Sequence, residues 1–161
     1  MLYLLDANVL IRAHEDYYPV DRVPPFWEWI EQQAANGTVK MPLEIYSEIA
    51  RATGLLSEWI NSEEIKEVLL LDEEVDRTIF NGVIDRAYAP DLNDHELEEA
   101  GQDPFLVAYA LNASNRVVVT KEVSKISKRR GRTKVPDACN TMGVRWINDF
   151  EFYRELDFRI G

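Results

Sequence analysis

Cysteine and histidine are scarce: Cys139, His14 and His95 are the whole supply in 161 residues. A lone thiol closes no internal disulfide, and no Cys/His set is spaced to hold zinc, so the chain reads as suited to a reducing cytoplasm. No apolar run approaches the ~18 residues of a transmembrane span, which excludes a membrane protein of that kind. The N-terminus has no basic stretch and meets Asp6 after a few apolar residues, so no secretory signal is expected. Cations are also in deficit, Lys+Arg 18 against Asp+Glu 29 for a net charge of −11. On first inspection that total argues against a nucleic-acid partner.

What is present is a globular composition, 46% apolar and 29% charged, at a length that fits one domain over residues 1–161. The charge is uneven. Between Lys121 and Lys134, seven cations face a single acid, Glu122, leaving +6 there and −17 on the other 147 residues. A strip of this kind is either a solvated, mobile loop or a surface that attracts phosphates whatever the total charge.

Short apolar runs alternate with helical patterns. Leu2–Leu5 reads as a buried parallel strand, Val39–Met41 as a brief extended piece, and Val68–Leu71, Val117–Thr120 and Val144–Ile147 as further strands. Pro24-Pro25 opens a helix that Asn36-Gly37 stops; Pro42, Asp103-Pro104 and Pro136 start others, and Asn148 or Asp149 caps the last. Val75, Ile79, Val83, Ile84 and Ala87 give one long helix ending before Pro90, and acidic Asp91–Gly101 is a loop or a frayed helix. The expected fold is α/β, a central parallel sheet of four to five strands between helical layers, with ligands at the C-terminal strand ends.

Several acids fall at those ends. Asp6 follows the first strand, Glu48 lies on the helix after Pro42, Asp103 opens a helix before the third strand, Glu122 follows Thr120, and Asp137 stands in the first turn after Pro136. Each has an ordinary structural role open to it, as a cap or a solvated helix residue. Gathered on one sheet edge they would repel, and hard divalent cations relieve such clusters; oxygen-only ligands favour Mg²⁺ or Mn²⁺.

Leu4-Leu5-Asp6-Ala7-Asn8-Val9-Leu10-Ile11 resembles the opening of a PIN domain, in which a metal-binding aspartate is followed two residues later by Asn or Ser. Glu48 after Ile45-Tyr46-Ser47, and Asp103 before Phe105-Leu106-Val107-Ala108, resemble the second and third acidic positions, and Val118-Val119-Thr120 the strand before the fourth. For that fourth acid the resemblance ranks Asp137, as in PIN-like chains with a basic insert, ahead of Glu122. It implies a three-layer fold and a metal-dependent ribonuclease, often the toxin of a bacterial toxin–antitoxin pair and often a dimer. Asp6, Asp103 and Asp137 would hold Mg²⁺ or Mn²⁺, with Glu48 directly or through water and Asn8, Thr120 and Glu122 in support. Hydrolysis would leave a 3′-hydroxyl and a 5′-phosphate, and Lys125, Lys128, Arg129, Arg130, Arg132 and Lys134 would contact flanking RNA phosphates.

The alternatives are a structure-specific DNA 5′-nuclease and a non-catalytic PIN-like module that binds RNA or protein. A haloacid dehalogenase-type phosphatase would need an aspartate where Asn8 stands. Phe26, Trp27 and Trp29 on one early helix are read as core, with an interface as the alternative.

Overall fold

The computed structural model describes residues 1–161. Four parallel strands, β1 (Leu2–Leu5), β2 (Val39–Lys40), β3 (Arg116–Val119) and β4 (Arg145–Ile147), form a sheet in the order β2-β1-β3-β4. Leu4, Leu5, Val118 and Val119 are fully buried, which is why these short apolar segments sit at the centre of the sheet. Leu4 pairs with Val118, Leu5 with Val119, and Val119 with Ile147. The ladder continues one residue past the strands, because the Asp6 N–H donates to the Val119 carbonyl (2.9 Å) and the Thr120 N–H to the Ile147 carbonyl (3.0 Å).

The chain leaves β1 towards β2 on one side and leaves β3 towards β4 on the other. The C-terminal ends of β1 and β3 therefore flank the switch point, where open α/β sheets form a crevice.

Ten helices flank the sheet: α1 (Ala7–Arg12), α2 (Pro24–Ala35), α3 (Leu43–Ala50), α4 (Leu55–Asn61), α5 (Glu63–Leu69), α6 (Arg77–Val83), α7 (Asp94–Ala100), α8 (Asp103–Leu111), α9 (Val135–Met142) and α10 (Asp149–Glu155). None is long and apolar enough to cross a membrane. The prolines act as expected: α2 carries Pro24 and Pro25 in its first turn, and α8 and α9 carry Pro104 and Pro136, where a missing N–H costs nothing. Phe26 and Trp27 are buried, Phe26 stacks on Tyr18 at 4.8 Å, and the Trp27 indole N–H donates to the Tyr18 carbonyl, so this aromatic cluster is core.

Three expectations change. Val68–Leu71 is no strand: α5 runs to Leu69, and only Leu70 bridges to Met41. Ile65 and Leu69, one helical turn apart, are both buried, and Glu63 and Glu64 favour a helix start there. The single long helix expected across Val75–Ala87 begins at Arg77, and from Ile84 to Tyr88 it widens into a π-turn. The acidic stretch before Gly101 is an ordered helix, α7, started by a reciprocal capping box between Asn93 and Glu96.

That helix also anchors the basic strip, which is docked and not a free loop. Arg130 reaches Asp91 (2.9 Å) and Glu96 (2.5 Å), and Arg132 lies 3.5 Å from Glu99. Between them, in a 3₁₀ turn over Arg130–Arg132, Gly131 is buried against the backbone of Glu96. A Cβ placed there would stand 2.2 Å from the Glu96 carbonyl oxygen, so the contact admits only glycine. Gly131→Ala is expected to lift the strip from α7 and lower Tm by roughly 4 °C or more. Thermal unfolding within about 1 °C of the parent would contradict this docking.

Candidate metal centre

Asp6 occupies the N-cap position of α1 but makes no side-chain cap bond. Its carboxylate turns to the switch point, where the Thr120 hydroxyl donates to Oδ2 (2.9 Å) and the Asn8 amide donates to the same oxygen (3.1 Å). Asn8 also accepts from the Lys121 N–H (3.0 Å), and Thr120 Oγ1 from the Glu122 N–H (3.1 Å). Thr120 is fully buried and Asp6 only 4% exposed. The two neutral residues expected to support the site thus tie the ends of β1 and β3 together through one carboxylate.

Asp103 is the first residue of α8, with Gln102 at the N-cap, so capping does not engage its side chain. Burial, then the negative charges of Asp6, Glu122 and Glu48, push its carboxyl up to about 8, against the pull of Lys134. Burial likewise drives Asp6 up to about 7; the Thr120 hydrogen bond opposes this, and Glu122 and Glu48 add to it. Glu48 lies on α3 with its side chain largely exposed, and what burial it has raises its carboxyl. These four acids come from four separate segments, and their charges bear on one another.

The charge of Glu122 bears on both Asp6 and Asp103, whereas Asp137 is engaged by the loop, an order opposite to the one the resemblance gives. One Glu122 oxygen accepts from the Val135 N–H (2.9 Å) and the other lies 3.9 Å from Lys134 Nζ, while the residue shares a cleft with Asp103. Both Asp137 oxygens are taken by the loop: Ser124 Oγ donates to Oδ1 and the Lys125 N–H to Oδ2 (2.8 Å). The first turn of α9 thus uses Asp137 to fasten the start of the insert. The signal for Glu122 was its position two residues after Thr120, close enough for its N–H to bond back to that hydroxyl.

The cleft holds about 310 Å³ and has no hydrophobic lining residue: Asp103, Glu122 and Glu99 face Lys128, Arg132, Thr133 and Lys134, with Gly131 at its side. Of the cations expected to meet RNA, Lys125, Lys128 and Arg129 carry no ion pair, Lys134 faces the acids, and Arg130 is held by α7. His14 accepts from the Val20 N–H, and His95 pairs with Glu99 on the surface of α7, so neither joins the acids.

Tyr88 was not legible as part of this corner. It ends the π-turn Ile84–Tyr88, which packs on α9 and on the turn at Arg130–Arg132, and its buried hydroxyl has no hydrogen-bond partner. Burial raises its phenol well above the usual value, and among charged groups Asp103 contributes most, ahead of Glu122 and Asp6.

The chemistry of this donor set fits a hard divalent cation: hard oxygen ligands, Asp6 buried and Asp103 partly buried, and a net negative charge that resists ionisation without a counter-charge. As the side chains stand, no three acids converge closely enough to share an ion. Four side chains suffice for one or two such ions, Asp6 and Asp103 directly and Glu48 and Glu122 directly or through water.

The raised carboxyls give a stability prediction. A carboxyl whose folded value lies above its unfolded value of about 4 contributes stability at low pH and loses it as pH rises through the folded value. The window therefore runs from about pH 4 to about pH 8, set by Asp6 at about 7 and Asp103 at about 8. Glu155, held low by Tyr3 and Arg145, and Glu73, held low by Arg116, titrate below it. In chelator, Tm is expected to fall by roughly 5 °C or more from pH 5.5 to 8.5, and Asp103→Asn to flatten that slope. A Tm that rises over this interval in both proteins would contradict the shifts.

Comparison with curated proteins yields no match. A family model does match, the one described as Domain of unknown function (DUF4411), over residues 3–160. That span takes in the sheet from Tyr3 onward and every acid of the site, and the chain belongs to this family.

Proposed function

We propose that the protein is a Mg²⁺- or Mn²⁺-dependent ribonuclease that hydrolyses RNA phosphodiesters. The observation that carries this is the pairing of buried Asp6 and partly buried Asp103, raised to about 7 and 8 with the charges of Glu122 and Glu48 bearing on both, to an all-polar cleft whose other wall is Lys128, Arg132 and Lys134. Acids that resist ionisation have a use if a cation restores their charge, and a basic wall beside them suits a polyanion.

In this assignment Asp6 and Asp103 hold the cation, Glu48 and Glu122 complete its surroundings, and Asp137 is structural. When bound, the cation neutralises charge on the phosphate and lowers the pKa of an attacking water. Thr120 and Asn8 fix the Asp6 carboxylate through Oδ2, which keeps one oxygen in place while the other is available to a ligand. Lys134 sits between Glu122 and the cleft, where it balances acid charge and approaches a phosphate. Lys125, Lys128 and Arg129 meet the flanking phosphates, and Arg130 holds the strip in position. The roles of toxin, antitoxin target and homodimer follow from the PIN-domain resemblance and join the proposal on that basis.

One observation favours a non-catalytic RNA- or protein-binding module instead: no three acids stand at sharing distance. Labelled RNA and DNA of one sequence, each as a single strand and as a flapped duplex, incubated with purified protein in Mn²⁺ and in chelator, separate the readings. The ribonuclease cuts RNA in Mn²⁺ only and leaves 5′-phosphate ends. A DNA 5′-nuclease cuts structured DNA, and a binding module retains RNA uncut in both buffers.

A further inference from the structure

Four buried side-chain atoms lack a partner, Glu44 Oε1, Asp149 Oδ2 and the hydroxyls of Tyr88 and Tyr153, and of these the Tyr88 hydroxyl is the one on which the acids of the candidate site bear. The Tyr88 hydroxyl is buried with no donor or acceptor within reach, in a residue 7% exposed. Leaving such a group unpaired costs on the order of 1–3 kcal/mol, and phenylalanine would fill the same space without that cost. The backbone there is also unusual: the π-turn Ile84–Tyr88 inserts an extra residue at the end of α6, a distortion common at functional sites. The turn packs on α9 and on the Arg130–Arg132 turn, the two segments that border Glu122 and Lys134. Asp103 is the charge that bears most strongly on the hydroxyl, and capping leaves the Asp103 side chain unengaged.

We infer that Tyr88 is a positioning residue for the divalent cation: its hydroxyl donates a hydrogen bond to the Asp103 carboxylate once that side chain turns inward to bind the ion. The inference rests on the proposed metal site and adds to it a fifth group, one that touches neither ion nor substrate. A phenol on the outer oxygen of Asp103 would fix the rotamer and leave the other oxygen for the ion, as Thr120 does for Asp6.

Mn²⁺ affinity of Tyr88→Phe and parent protein, by calorimetry at one pH, tests this together with metal-free Tm and RNA kinetics. The variant is expected to keep or slightly raise metal-free Tm, because it removes only an unpaired hydroxyl. Its Mn²⁺ affinity should fall about tenfold, with kcat lower at matched sub-saturating Mn²⁺ and KM for RNA unchanged. Mn²⁺ affinity within about twofold of a parent that binds the ion would overturn the inference and leave the metal site standing. A parent that binds no Mn²⁺ would overturn both. Should Tyr88→Phe lose metal-free stability, the hydroxyl has a structural partner and the inference is also overturned.

Discussion

Asp103→Asn is expected to reduce Mn²⁺-dependent RNA cleavage by about 1,000-fold or more, close to 4 kcal/mol of transition-state stabilisation, while raising metal-free Tm by several degrees. The two effects share one cause. Asp103 is partly buried, the charges of Asp6, Glu122 and Glu48 bear on it, its carboxyl stands at about 8, and α8 does not use it as a cap. An amide of the same shape removes a charge that the fold tolerates poorly and that the cation requires. Asp6→Asn should lose activity as fully but gain less stability, because its carboxylate accepts from Thr120 and Asn8 and an amide nitrogen there would confront two donors. Single-turnover cleavage and thermal unfolding in chelator measure both halves. If Asp103→Asn cleaves RNA within about tenfold of the parent, the assignment of that carboxylate is wrong.

Glu122→Gln and Asp137→Asn are expected to part company by two orders of magnitude or so in cleavage rate. Glu122 shares the polar cleft with Asp103, and its charge acts on both Asp6 and Asp103. Asp137 gives its two oxygens to Ser124 and Lys125 in the loop. Glu122→Gln should therefore lower Mn²⁺ affinity and kcat, whereas Asp137→Asn should loosen the start of the insert, costing about 1 kcal/mol of stability and weakening RNA binding with kcat nearly intact. The opposite pattern, a dead Asp137→Asn and an active Glu122→Gln, would restore the order implied by the PIN-domain resemblance.

That reversal marks where sequence stops being sufficient. Asp6, Asn8 and Thr120 were legible because they directly follow β1 and β3, whose register is fixed by short buried apolar runs. Asp103 was legible as the partner of Pro104, although the helix starts one residue earlier than a capping role requires. The choice between Glu122 and Asp137 depends on how the fourteen residues 121–134 fold back, and that is set by contacts remote in sequence: Arg130 with Asp91 and Glu96, and Gly131 on the Glu96 backbone. The anchor was partly visible, since Asn93-Asp94-His95-Glu96 has the spacing of a capping box. Tyr88 had no local signal; the spacing from Val75 to Ala87 describes the helix that delivers it but not the π-turn that ends it. The apolar run Val68–Leu71 was ambiguous for its length, and the buried pair Ile65 and Leu69 decided it as helix.

The net charge of −11 therefore constrains little, because its distribution separates two surfaces: acids at the switch point and cations on the docked strip. The central claim is that the switch-point acids bind a divalent cation, and a crystal structure with Mn²⁺ tests it through anomalous scattering. The expected map has a peak at coordinating distance from the carboxylates of Asp6 and Asp103, with Glu122 turned towards it and Asp137 still bonded to Ser124 and Lys125. A saturating soak with no peak at the ends of β1 and β3, or a peak held by Asp137 without Asp103, would contradict the account.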